Sequence, residues 1–382
     1  MSDKSFNKYL HITKAIVPRN NNYPSSYKDV KRLLKNMGLG YETIHACEYG
    51  CILYYKENKD ILSCLRLYMS PHISAQMHWH AQRKVDDPEY IRHHPDGESW
   101  KAFDEEFPQF ASEIRNLRLG LATDGFNPFG ASGLSHSTWH IVLMPYNLPP
   151  HICMKKEMNI LCMLISGPKS PDKCLNVFMR PLIDELKMLW EEGVQTYNRH
   201  DGSSFLMKGT VMWTISDFPG LGMLGGIKTK GYKACPLCLD EIDAMHLTGR
   251  MSYQGHRRWL LGDHDWRFAA NRFNGKIEHR EPPTSFSGTE IFAQITSHDY
   301  PTLILHPLFK KRGVAEKLCW KHVSLFYVLP YWQSLCHPYS LDSMHIEKSV
   351  FDNIIGTILG LEGKTKDDMK ARKGFGEQGV RR

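Results

Sequence analysis

The chain has 382 residues, 42% of them hydrophobic and 23% charged, with a formal net charge of +7 beside 20 histidines. This is the composition of an ordinary globular protein with room for two or three domains, and the mild positive surplus favours a polyanionic partner. No apolar run approaches the roughly 20 residues of a membrane span, and the start, MSDKSFNKYL, lacks the apolar core of a signal peptide. Ten cysteines in such a chain are expected in a reducing compartment, as free, metal-bound or catalytic thiols.

Residues 1–26 are polar and read as a loosely ordered N-terminus. Tyr27–Met37 has helical spacing through Val30, Leu33 and Leu34, with Gly38 as its stop. Cys47 and Cys51 lead into a short strand and Cys64 comes after it, which is one ligand short of a structural zinc site. His78-x-His80 has the look of paired metal ligands, but no acidic residue stands close behind it, so the plain reading is a helix-surface pair. Glu98–Phe107 is an amphipathic helix. Residues 27–110 thus form a small α+β region with a degenerate zinc-ribbon-like segment.

From Asn116 the pattern becomes strands. Leu117, Leu119 and Leu121 alternate with Arg118 and Gly120, the period of a half-buried strand, and Asp124 comes before the turn chemistry of Gly125–Gly130. A carboxylate there is costly to bury unless paired or bound to a cation; locally, a turn aspartate capping its own backbone explains it equally well. Further strands are expected over Thr138–Pro145, Asn159–Ser166 and Phe205–Ile215, with a helix over Leu175–Tyr197 between the last two. Three antiparallel strands, a crossover helix and a fourth strand is the order of an RNase H-like core, in which the first and fourth strands lie side by side. Asp124 and Asp217 then fall at the same end of neighbouring strands. The fold class expected is α/β: an RNase H-like mixed sheet with flanking helices.

The first part of that core spans 111–220, and an inserted module spans 221–318. Leu221–Gly231 is glycine-rich without the spacing of a phosphate loop. Cys235-x-x-Cys238 is next, then a stretch through His256, Arg257, Arg258, Trp259, His264, Trp266, Arg267, Arg272 and Phe273 in which basic and aromatic residues interleave. Such a surface suits phosphate contacts and base stacking; a solvated, loop-rich insertion has the same composition. In 319–363 the aromatic Trp320–Trp332 precedes the clearest helix, Leu341–Leu361, whose apolar stripe is Met344, Phe351, Ile354, Ile355 and Ile358. Glu347 lies inside that stripe and is expected to face the core, while His345 points to another side. Residues 364–382 form a charged, glycine-broken tail.

Several of these segments, taken in order, carry a resemblance: LGLATDGFNPFG, GTVMWTISDFPG, KGYKACPLC, GHRRWL, FNGKIEHREPP and LDSMHIEKSVFDNIIGTIL. Together they resemble the transposases of plant CACTA (En/Spm-type) DNA transposons, over about Tyr27 to Leu361. The resemblance implies a DDE transposase acting in the nucleus by cut-and-paste, with DNA as partner (terminal inverted repeats and target) and scope for a homo-oligomer. Asp124, Asp217 and Glu347 would be the three carboxylates holding two Mg²⁺ or Mn²⁺ ions, with Asp342 as the fallback third. It also implies a zinc site in the insertion, with Cys235, Cys238 and His345 as ligands. Tyr339 stands where similar proteins carry a histidine, so either His337 substitutes as the fourth ligand or that ligand is lost. The chain ends soon after the catalytic helix, so the rival expectation is a transposon-derived DNA-binding protein that keeps the fold without the chemistry.

Overall fold

The computed structural model of the chain describes residues 24–36, 67–83, 90–130, 135–247, 250–284, 286–296 and 319–377, with a few short stretches before residue 55. Cys47, Cys51 and Cys64 lie outside the described residues. At the N-terminal side, α1 (Tyr27–Asn36) matches the expected helical spacing, and α2 (Glu98–Glu106) turns Trp100 and Phe103 into the core.

The centre is a mixed five-stranded sheet. Its strands are β1 (Leu117–Phe126), β2 (Thr138–Pro145), β3 (Ile160–Ile165), β6 (Gly209–Ser216) and β9 (Tyr339–Leu341), in spatial order β9-β6-β1-β2-β3. The first three form an antiparallel meander; β6 returns parallel to β1, and β9 adds parallel to β6. The return runs through α3 (Leu175–Glu191), as a parallel connection requires. Leu175, Met179, Leu182, Ile183, Leu186 and Leu189 of α3 are buried in the same core as Leu117, Leu119 and Leu121. The expected adjacency of first and fourth strands is therefore present.

Three local expectations are corrected. The crossover helix ends at Glu191 rather than Tyr197, because Gly193 adopts a left-handed φ of 73° and turns the chain. The chain then enters a hairpin, β4 (Val194–Asn198) with β5 (Ser203–Met207), closed by Asn198–Gly202. The apolar run expected as one strand is thus two, broken at Lys208, whose N–H donates to the Asn116 side chain at 2.7 Å. And β1 runs through Asp124 to Phe126, because Thr123–Phe126 keep pairing with Thr138–Ile141.

Both faces of β1 are covered, and its even-numbered positions are shaped by that cover. Gly120 lies against the Tyr146 ring, which an added Cβ would overlap. Arg118 is 1% exposed; its guanidinium sits over the rings of Trp100 and Phe110 and donates to Asp104 at 2.6 Å, while Nε and Nη1 have no partner among the described residues. The aromatic stretch Trp320–Trp332 closes the core from beyond the insertion: Phe326 stacks on Trp332, and the Tyr331 hydroxyl accepts the Val211 N–H at 3.0 Å.

The insertion begins with α4 (Phe218–Leu224), continues through the hairpin β7 (Asp243–Leu247) and β8 (Arg250–Gln254), and closes on α5 (Gly288–Thr296). A second apolar cluster of Leu221, Ile227, Leu239, Ile295, Cys319, Trp320 and Val323 ties it to the sheet. Beyond β9, α6 (Ser343–Ile358) departs from expectation. Its apolar stripe is not core: Met344 is 74% and Phe351 63% exposed, and Gly356 is its one buried residue.

The buried polar groups generate two predictions. Asp104→Ala leaves the Arg118 cation under the sheet without its carboxylate and should cost about 2–3 kcal/mol, read by denaturant unfolding; a loss within about 0.5 kcal/mol, as for a surface change, would refute the pairing. Burial lowers the pKa of His80 to about 3 and of His94 and His322 to about 4. The unfolded chain then binds more protons below its own histidine pKa of about 6.5, so stability should be full above that pH and fall between about 6.5 and 4. His80→Gln keeps a donor for the Met77 carbonyl, to which His80 Nδ1 lies at 3.1 Å, and should make the acid loss shallower in thermal melts.

Candidate active site

Strands β1, β6 and β9 run parallel, so their C-terminal ends lie along one side of the sheet. Ala122 pairs with Ile215; two residues further on each strand stand Asp124 and Asp217, level with one another. On the other side of β6, Leu341 pairs with Ser216, and the Asp342 N–H donates to the Ser216 carbonyl at 2.9 Å. Three neighbouring strand ends thus each carry an aspartate.

Each carboxylate is held by local backbone. Asp124 is exposed, and its Oδ1 accepts the Gly125 N–H at 2.6 Å, the self-capping that turn chemistry foresees. Asp217 caps α4, Oδ1 accepting the Gly220 N–H at 2.7 Å. Asp342 caps α6, Oδ1 accepting the N–H groups of Met344 at 3.0 Å and His345 at 3.4 Å. In all three, Oδ2 makes no hydrogen bond among the described residues. The Ser216 hydroxyl beside them is buried without a partner among those residues, a polar orphan that nothing in the sequence pattern announces.

Glu347 sits in the second turn of α6, five residues and about 7.5 Å of helix axis beyond Asp342. It is exposed, so the expectation that it faces the core is corrected: the stripe it shares with Met344 and Phe351 packs against nothing described. Among the described residues, no three His, Cys, Asp or Glu side chains gather into a group able to hold a metal ion. The strand-end aspartates share an edge without closing round one point.

The cysteine pair of the insertion is brought together. The Cys238 N–H donates to the Cys235 sulfur at 3.3 Å and the Leu239 N–H to the Cys235 carbonyl at 3.1 Å, a tight turn that presents both thiols. Burial, with the Cys235 thiol alongside, pushes the Cys238 thiol pKa up to about 12. His337 and His345 are both exposed and complete no metal-holding group with them. Tyr339 accepts a hydrogen bond from the Trp332 indole at 3.3 Å, and burial raises its pKa. His80 is turned inward toward the Met77 carbonyl, so it is a core histidine rather than half of a surface pair.

For the basic and aromatic stretch a phosphate-facing surface and a solvated insertion were both open. Most of its arginines are used internally: Arg257 and Arg267 donate to backbone carbonyls, and Arg258 pairs with Glu241.

Sequence comparison identifies the family. The sequence model described as "Transposase family tnp2" matches residues 88–298, more than half of the chain, and the chain belongs to that family. The match takes in Asp124, Asp217, Cys235 and Cys238 and stops before Asp342 and Glu347. No curated protein matches the chain.

The caps allow structural and chemical roles to be separated. Asp217→Ala and Asp342→Ala should each cost about 1 kcal/mol in thermal unfolding, whereas Asn at either position, which still caps, should cost a few tenths. Equal losses for Ala and Asn would refute the capping roles.

Proposed function

We propose that the chain is the transposase of a cut-and-paste DNA element of the CACTA (En/Spm) type, acting in the nucleus on terminal inverted repeats and target DNA. In this reading Asp124, Asp217 and Glu347 hold Mg²⁺ or Mn²⁺, and Asp342, tied to β6 through Ser216, is the alternative third carboxylate. The observation that supports it is the parallel register of β1 and β6, in which Asp124 and Asp217 each follow the last paired residues, Ala122 and Ile215, by two positions. Neighbouring carboxylates repel, and a cation between them relieves that repulsion. All-oxygen donors favour hard cations over zinc.

Bound there, a pair of divalent ions supplies neutralisation of charge on the attacking and leaving oxygens of a phosphodiester. The chain's own residues do the positioning. Asp217 is fixed by its cap on Gly220, so its free oxygen keeps one direction. Asp342 is fixed by its backbone bond to Ser216 and by two amide donors. Water would attack the phosphodiester at an element end and the 3′-oxygen would leave as a hydroxyl; in strand transfer that hydroxyl would attack a target phosphodiester, whose own 3′-oxygen would leave. Cys235 and Cys238 would supply two thiolates to a structural zinc in the same reading, with His345 as the third ligand and His337 as a fourth unless that ligand is lost. DNA affinity comes from cations elsewhere on the surface.

The test is cleavage of a labelled duplex carrying the element's own ends, with Mn²⁺. Asp124→Asn and Asp217→Asn should each abolish cleavage and strand transfer while leaving DNA affinity within about twofold, since neither removes a phosphate contact. Glu347→Gln should do the same, with Asp342→Asn mild; the reverse order would move the third role to Asp342. Cleavage surviving Asp124→Asn or Asp217→Asn would end the mechanism.

A further inference from the structure

Between residues 243 and 284 the insertion buries few apolar side chains. Among its described residues from 243 to 284, the buried side chains are Leu247, Arg267, Glu278 and Pro283. Arginine takes the place of packing. Arg267, 3% exposed, donates to the carbonyls of Leu260 at 2.8 Å, Glu278 at 3.1 Å and Arg280 at 2.6 Å. Arg257 donates to the carbonyls of Trp266 at 3.2 Å and Lys276 at 2.9 Å and to the Asn274 side chain at 3.1 Å. Carbonyls satisfy the donors of a guanidinium without cancelling its charge.

This construction leaves rings outside. Trp259 is 48%, Trp266 52% and Phe268 50% exposed. Trp266 lies 6.5 Å from Phe273, whose other neighbour is the Arg257 guanidinium at 4.5 Å from its centroid. Arg272 and Lys276, on either side of Phe273 in the chain, are exposed. Arg257, Arg267, Arg272 and Lys276 form no ion pair among the described residues. Arg272 and Lys276 thus stand exposed and unpaired beside Phe273, while Glu278 is the carboxylate near enough to Arg257 to feel its charge.

We propose that this face binds single-stranded DNA, with Trp266 stacking on an unpaired base and Arg272 and Lys276 neutralising phosphates. A ring standing half free of the surface offers a π-face, and only an unpaired base has one to match; in a duplex those faces are used up in stacking. These exposed cations favour a polyanion over an apolar protein partner. The inference rests on the transposase reading for its choice of nucleic acid, and it adds a strand preference that the carboxylate site does not require.

The experiment uses the full chain in EDTA, so that no strand is cut. Anisotropy is read on a labelled mixed-sequence oligonucleotide of about 12 nucleotides and on a duplex of the same length. The single strand should bind more tightly. Trp266→Ala should weaken single-strand binding by about 5- to 150-fold with the duplex unchanged, and Trp266→Phe should retain most of it. Arg272→Gln with Lys276→Gln should lower the salt slope for the single strand by about 1.4. A duplex bound as tightly as the single strand, or single-strand binding untouched by Trp266→Ala, overturns the proposal, as does Trp266→Ala abolishing self-association in sedimentation without touching DNA binding. Failure of Mn²⁺ cleavage with this preference intact would remove the catalytic reading and leave this one standing.

Discussion

The parallel pairing of β1 with β6 is the constraint on which the arrangement depends. Parallel strands need a crossover, and α3 supplies it, so both faces of the sheet become covered and the strands must be apolar while they are inside. Leu117, Leu119 and Leu121 meet that demand, and so do Val211, Met212 and Trp213. Only where the strands leave cover can acidic side chains be tolerated, and in a parallel pair both leave at the same side. Asp124 and Asp217 stand just there. The third strand, β9, arrives from far along the chain, yet it repeats the pattern: its pairing ends at Leu341 and an aspartate comes next.

Covering both faces has local consequences that a single-sided sheet would avoid. Gly120 is held open for the Tyr146 ring, and the register between β1 and β6 shifts beside it, between Leu119 and Gly120. Two residues earlier on the same face a charged residue is retained, and Arg118 is tolerated because aromatic faces and one carboxylate surround it. Residues 243–284 of the insertion are held in another way, with guanidinium–carbonyl bonds from Arg257 and Arg267 where few apolar side chains are buried. These two uses of arginine explain why charge counts along the sequence say little about which cations face a ligand.

The strands and the crossover were legible because burial writes itself as alternation and as helical spacing. Leu117, Leu119 and Leu121 marked the first strand, and the span Leu175–Tyr197 the helix. The side-by-side placement of β1 and β6 came from their order. The β4–β5 hairpin was not legible: its residues are half exposed, and Phe205 and Met207 merge with the apolar run of β6 when read as one string. The roles of Arg257 and Arg267 were hidden for a different reason, since backbone carbonyls leave no mark in a sequence. The α6 stripe was read correctly as apolar and wrongly as buried, because periodicity reports a face and not what covers it.

Asp342 and Glu347, the two candidates for a third carboxylate in the proposed reading, differ in the same way. Asp342 is anchored, with its N–H on Ser216 and its side chain on two amides of α6, so its position is a property of the sheet. Glu347 depends on the helix alone. It lies one turn from Met344 and one from Phe351, on the face that is exposed. Any surface that covers those two side chains covers Glu347 with them, and a carboxylate so covered needs a cation or a basic partner. Burial of the stripe and recruitment of Glu347 to a metal would therefore be one event, whereas Asp342 needs no such event to stand beside Asp217.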